Sequence, residues 1–283
     1  MKHSLGIVSF LAAVLAAIVA QAQPLDDPST PAIPEKVIKE WKNLPEKLTG
    51  WRGRLVTTRT AAADGKVQQR TVREREFGIT SSGVFLKETQ KGQCSVQVAG
   101  IESAFAVHQD EPEGVFKLRL FDNKNGPRAQ VIRERTLDTV EPVLFAGFEV
   151  CGKMLPDLVG SPHFTLKSLS EDKSQKTATL TFEYSPPEKQ RDTAIAGGSI
   201  QFQTEPSWLI KSYDCPTFWG RMKGAVEYRE IDGTRIPART DVVSLGKDAG
   251  TYSVDQNEIT GIERLEDARA PLHLADYGLQ TPE

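Results

Sequence analysis

Thr177-Ala178-Thr179-Leu180-Thr181-Phe182-Glu183-Tyr184 is the stretch on which the fold turns. Extended, it puts Ala178, Leu180, Phe182 and Tyr184 on one side and the threonines with Glu183 on the other. A period of two with one apolar side marks a strand with one buried and one wet face, which means antiparallel pairing. The alternation returns at residues 115–121, where Phe116, Leu118 and Leu120 oppose Lys117 and Arg119. It returns again at 225–231, where Val226 and Tyr228 oppose Glu227 and Arg229. Turn signals fall between such runs at Asp64-Gly65, Ser82-Gly83, Asn125-Gly126 and Asp232-Gly233. Asp232-Gly233 separates the alternating runs 225–231 and 234–245 and predicts a tight hairpin. The spacing of runs and turns predicts about a dozen strands.

Two segments depart from this period. Val37, Ile38, Trp41, Leu44 and Leu48 recur at helical spacing between charged residues, with Pro34 at the first turn and Pro45 ending or kinking the helix. Between residues 141 and 158, Leu144, Phe145, Phe148, Met154, Leu155 and Leu158 follow no alternation, which predicts a short helix and loop lying over the sheet. So many one-sided strands offer more apolar face than two short helices can cover flat, so the sheet must curl around them. The expected class is mainly β: a curled antiparallel sheet, a half-barrel, wrapped around one or two short helices. No strand–helix alternation suggests a parallel nucleotide-binding sheet.

The N-terminus carries an address. Lys2 precedes an uncharged apolar run over residues 5–20, and Ala20-Gln21-Ala22 forms a small-residue cleavage signal before Gln23. Residues 1–22 therefore read as a secretory signal peptide, and the mature chain is expected in the periplasm or outside the cell. The run falls short of a membrane span, and no second run approaches spanning length. No cysteine follows it for lipid attachment, and no arginine pair precedes it. Residues 23–34, with Pro24, Pro28, Pro31 and Pro34, read as a flexible leader. Residues 35–283 read as one β-rich domain. Thirty-five basic against 38 acidic residues give a formal charge of −3, which argues against a nucleic-acid partner.

The chain shows little chemistry. Cys94, Cys151 and Cys215 match no zinc spacing; export permits one disulfide and leaves one thiol, with the pair open. His108, His163 and His273 lack neighbouring ligands at metal-binding spacing. There is no nucleophile-elbow motif. Residues 122–126 fail as a calcium loop because Lys124 stands where an oxygen ligand belongs. Ala196-Gly197-Gly198-Ser199 precedes a strand rather than a helix and reads as a tight turn or bulge, not a phosphate cradle. The cluster Arg70, Arg73, Glu74, Arg75 and Glu76 reads as a solvated strand face with cross-strand pairs. No catalytic residue, metal ligand or cofactor is assigned, and the chain is read as a non-enzyme.

The order of parts is similar to that of the periplasmic lipoprotein-carrier, LolA-like superfamily: a signal peptide, one amphipathic helix, a long meander and a helical interruption. The run Ser207-Trp208-Leu209-Ile210-Lys211-Ser212-Tyr213, then Gly224-Ala225-Val226-Glu227-Tyr228-Arg229, then Asp232-Gly233 ahead of Ile236-Pro237-Ala238-Arg239, resembles that superfamily's closing strands. The tail Tyr277-Gly278-Leu279, with Thr281-Pro282, resembles the end of many secreted bacterial proteins of this type. The resemblance implies a curved sheet with an apolar cavity for acyl chains, hence a lipid or lipoprotein ligand. The aromatic supply for such a cavity is Trp41, Phe145, Phe148, Trp208 and Trp219. Two alternatives stand beside the carrier reading: an envelope structural or interaction protein, and a secreted hydrolase with a dispersed site.

Overall fold

The computed structural model describes residues 32–186, 195–248 and 250–282. The expected signal peptide and residues 23–31 of the leader lie outside them. Thirteen strands form one antiparallel sheet built from two meanders. The first runs β1 (Trp51–Ala63), β2 (Lys66–Thr80), β3 (Gly83–Gln90), β4 (Gln93–Gly100), β5 (Ser103–Gln109) and β6 (Lys117–Asn123). The second runs β9 (Phe164–Asp172), β10 (Thr177–Tyr184), β11 (Gly197–Gln203), β12 (Leu209–Thr217), β13 (Gly220–Ile231), β14 (Thr234–Gly246) and β15 (Tyr252–Arg264). Pairing of β1 with β15, with Leu55 opposite Ile259, joins the two and leaves β6 and β9 as the edges.

The chain therefore leaves one edge at β6 and must reach the other at β9. The crossing carries α2 (Pro127–Leu144), a small hairpin of β7 (Glu149–Val150) and β8 (Lys153–Met154), and α3 (Leu155–Gly160). Together with α1 (Glu35–Lys47) it fills the concave face. Strands about 4.8 Å apart would make a flat sheet of this size roughly 55–60 Å wide. One continuous inner core instead takes Leu55, Phe77, Val84, Ala99 and Ala104 from the first meander and Leu180, Phe202, Cys215, Val226 and Ile259 from the second. Both flanks converge on the same helices, as the curled reading requires.

The turns follow local chemistry. Asp64-Gly65 and Asp232-Gly233 both sit at positive φ and join strands two residues apart in register, the geometry of a type I′ hairpin. Asn125-Gly126 has another role. It lies between β6 and α2, where an Asp122 carboxylate oxygen accepts the Arg128 N–H at 3.1 Å and satisfies an open donor of the first turn.

Several local expectations need correction. The helical interruption begins at Pro127, not near residue 141. Its buried stripe of Ala129, Ile132, Thr136, Val140 and Val143 is written in small and β-branched residues, so its apolar pattern is faint. The first helix runs through Pro45 to Lys47, so Pro45 does not end it. Residues 115–121 do not form one clean strand: β6 starts at Lys117, and a register shift opposite Ala106 and Val107 leaves Leu120 exposed while Phe116, Leu118 and Phe121 pack on the outer side.

That outer side holds a second core. Phe85, Val96, Val98, Phe105 and Val107 point away from the helices and are sealed by Leu265, Ala270, Leu272 and Leu274 of the C-terminal tail. Tyr277 edges onto Phe105 and Phe116, with ring centroids 5.8 and 5.2 Å away. Strands β3 to β5 are thus buried on both faces.

Candidate functional site: an aromatic core beneath a helix

α1 presents Val37 and Trp41 to the concave face, and Leu48 follows just after it. Trp41 has no exposed surface. Its ring stacks on Phe202 at 5.4 Å, and Phe202 lies 5.6 Å from the Trp208 ring. The Trp41 indole N–H donates to the Trp208 carbonyl at 2.8 Å, so the one polar atom of the side chain is satisfied inside the core. This bond ties a helix near the N-terminus to the entry of β12.

Phe145 and Phe148 come from the crossing segment and lie 5.3 Å apart in the same core. The Ile210 N–H donates to the Gly147 carbonyl at 2.8 Å and pins that segment to β12. Gly147 has to be small: a Cβ there would stand 3.0 Å from the Tyr228 hydroxyl and 3.3 Å from Leu209. The Tyr228 hydroxyl donates to the Ile210 carbonyl at 2.6 Å, and burial pushes its phenol above the ordinary value. Burial likewise raises the Tyr213 phenol. The structure thus brings Trp41, Phe145, Phe148 and Trp208 into one core and leaves Trp219 apart, 36% exposed beside the β12–β13 turn.

Towards the other end of the strands the concave face becomes polar. The cross-strand row Arg75, Glu88, Ser95 and His108 continues the inner side of Phe77, Leu86 and Ala104. The Arg75 guanidinium meets Glu88 at 3.0 Å with its side chain largely buried. His108 Nε2 lies 3.5 Å from Asp110, whose other carboxylate oxygen takes a 2.7 Å hydrogen bond from Lys117. That Lys117 bond holds the Asp110 carboxyl below its ordinary value. A depression of about 280 Å³ opens here, lined by Glu88, Ser95, His108, Asp110 and Arg119. Another, of about 500 Å³, is lined by Arg52, Arg54, Glu76, Phe85 and Glu263. Neither is lined by any of the five aromatic candidates. Among the described residues no three His, Cys, Asp or Glu side chains form a group that could hold a metal ion.

The charge cluster of β2 divides along the strand. Arg75 is paired inside, Glu76 pairs with Lys87 at 3.2 Å and Glu74 with Arg54 at 3.1 Å, while Arg70 and Arg73 are exposed. Sequence reasoning missed Phe202, the ring between the two tryptophans. It missed Tyr228 as a polar tie as well. Phe202 was legible in principle as the second apolar residue of the alternation Ile200, Phe202 after Gly198.

These features define a large antiparallel sheet of 13 strands whose concave face is covered by helices. Among solved structures, the chain is similar to the LolA superfamily protein NE2245 from Nitrosomonas europaea, with a TM-score of 0.43 and 10% identity over 84% of this chain and 95% of that one. It is similar to a putative outer membrane lipoprotein-sorting protein domain from Vibrio parahaemolyticus, with a TM-score of 0.40 and 9% identity over 85% and 96%. A DUF1329 family protein from Desulfovibrio piger gives 0.39 and 12% over 85% and 99%. No protein-family model and no curated protein sequence matches the chain.

Proposed function

We propose that the protein is an exported, non-enzymatic carrier that holds one apolar chain, of the kind borne by lipids and lipoproteins, against the concave face of its sheet. The observation that carries this reading is the construction of the cover. α1 contributes the apolar side chains Val37 and Trp41 to a floor of Phe202, Trp208 and their neighbours. An acyl chain replacing that stripe exchanges apolar surface for apolar surface, so displacing the helix leaves the floor covered. The Trp41–Trp208 hydrogen bond is the polar link to be broken. Its net worth of about 1 kcal/mol suits a latch that opens.

Mass spectrometry of organic extracts of the purified mature chain tests the proposal, together with titration of a fluorescent fatty-acid analogue. A co-purifying acyl species and saturable binding with quenched tryptophan emission are expected. A chain that carries no lipid and binds no analogue refutes the carrier.

A second observation favours the interaction reading. The first half of β2 is exposed on both faces, including Val67 at 59% and Val72 at 60%. Such an arm is a surface for another protein of the envelope. Val67→Ser with Val72→Ser should abolish cross-linking to a partner in intact cells while leaving analogue binding unchanged; a loss of analogue binding instead would place the arm in the carrier site.

A further inference from the structure

Of the three cysteines, two stand together. Cys151 is the first turn residue of the β7–β8 hairpin, at φ +52 and followed by Gly152 at φ +76. One bond ties the hairpin to β12 and another closes its base. Gly147 accepts from Ile210 of β12 at 2.8 Å, and the Leu155 N–H donates to Phe148 at 2.7 Å. Cys215 lies further along β12, wholly buried. Cys151 packs against the inner core that contains Cys215, on the same face of the sheet, and each thiol is near enough to act on the other's electrostatics. Room for Cys215 comes from Gly198 of β11, where a Cβ would stand 2.8 Å from the sulfur. Cys94 is elsewhere: it packs in the outer core with Val96 and Val98, on the opposite face of the sheet.

We propose that Cys151 and Cys215 form the protein's disulfide, closed by exchange with a disulfide oxidant such as oxidised glutathione, and that Cys94 remains a thiol. Cys151, the less buried of the two, attacks one sulfur of the oxidant, loses its proton and expels the first oxidant thiol. Cys215 then attacks the Cys151 sulfur of the mixed disulfide, loses its proton and expels the second. One sulfur–sulfur bond forms in the protein, one breaks in the oxidant, and two electrons pass to the oxidant. The neighbouring Cys215 and burial push the Cys151 thiol above its ordinary value, so closure quickens as pH rises. The bond clamps the segment bearing Phe145 and Phe148 onto β12, the strand whose entry holds Trp208.

The assignment needs an oxidant but no lipid, so its failure and that of the carrier are separable. The folded, reduced full chain is incubated with oxidised glutathione, unfolded, alkylated without reduction and digested. A cross-linked peptide containing Cys151 and Cys215 is expected, with the alkyl label or a glutathione cap on Cys94 alone. Cys94→Ser should leave no free thiol, and Cys151→Ser should free Cys215. Closure should raise the unfolding midpoint by roughly 5–10 °C. A link through Cys94, or a glutathione cap that persists on Cys151, overturns the assignment. A chain purified with all three thiols free that closes this bond on exposure to the oxidant supports the pair.

Discussion

The inner and outer cores are built on opposite principles. The inner core is a lining: alternating residues of strands in both meanders face α1, α2 and α3. The outer core is a patch: β3 to β5 turn a second apolar face outward, and the last part of the chain seals it with Leu265, Ala270, Leu272 and Leu274. The inner core holds Trp41, Trp51 and Trp208, and no tryptophan lies in the outer one. The difference separates what the fold needs from what a ligand could use. The inner core has a helical cover on an aromatic floor, whereas the outer core is closed by the tail.

The strongest way to break the comparison is to remove the seal. A chain ending at Arg264 exposes Phe85, Val96, Val98, Phe105 and Val107. It should lose on the order of 5 kcal/mol or more at about 1.5–3 kcal/mol per large apolar side chain, most of a typical domain's stability. Urea unfolding measures the loss. If the two cores are separate, tryptophan emission at low temperature stays blue-shifted, because it reports the inner core. A red-shifted spectrum in the truncated chain would show that the cores fold as one unit.

Next in size is Trp41→Ala, which removes the largest side chain of the cover and its bond to Trp208. As a core residue it should cost roughly 3–5 kcal/mol in urea unfolding. If the helix instead lifts readily, the cost is smaller and affinity for the fatty-acid analogue changes. A variant unchanged in both stability and affinity would sink the account of α1 as a docked cover.

How much of this was legible in the chain follows from how each core is coded. The inner lining is one-sided, so the period of two in residues 177–184 announces it directly. The half-barrel followed from counting such faces. The outer core has no such signature. Strands buried on both sides lose their alternation, as in β3, where Val84, Phe85 and Leu86 are all buried in sequence. The tail that covers them has no regular period, being two short 3-10 turns, Asp267–Arg269 and Leu274–Tyr277, in otherwise irregular chain. The candidate site was legible as residue types, the large aromatics. Its assembly was not, because the partner of Trp41 is a backbone carbonyl 167 positions away. Nor could spacing pair the cysteines, since Cys151 and Cys215 meet only once the crossing segment lies on β12.

A subtler test acts at the seam between sheet and tail. Gly78 of β2 leaves space on the outer face for the Phe85 ring and for Leu265. A Cβ there would stand 2.2 Å from the ring and 2.7 Å from the leucine. Gly78→Ala must displace one of them and should cost about 1–3 kcal/mol by overpacking. The Phe85 ring is the closer clash, and the tail packs over it, so amide exchange should quicken over 265–279 and leave β12 unchanged. Faster exchange in β12 would mean that strain crosses the sheet and the two cores are coupled.

The smallest effect concerns the anchor of the tail. Asp267 accepts hydrogen bonds from the hydroxyls of Ser81 and Ser82 in the β2–β3 turn, the latter at 2.8 Å. Led by the Ser81 bond, these hold its carboxyl below the ordinary value of 3.8. A depressed folded pKa means that the unfolded chain takes up the proton first. The contribution is therefore complete above the ordinary carboxyl value and is lost as pH falls through the folded one. The group is largely solvated, so the loss should be a few tenths of a kcal/mol. It should show as faster amide exchange at residues 265–270 below about pH 4 rather than as a shift of global unfolding. Asp267→Asn should remove the pH dependence of that local opening while leaving the inner core's tryptophan signal untouched. If the acid sensitivity of the tail persists in the variant, the anchor is not Asp267, and the seal depends on its leucines and Tyr277 alone.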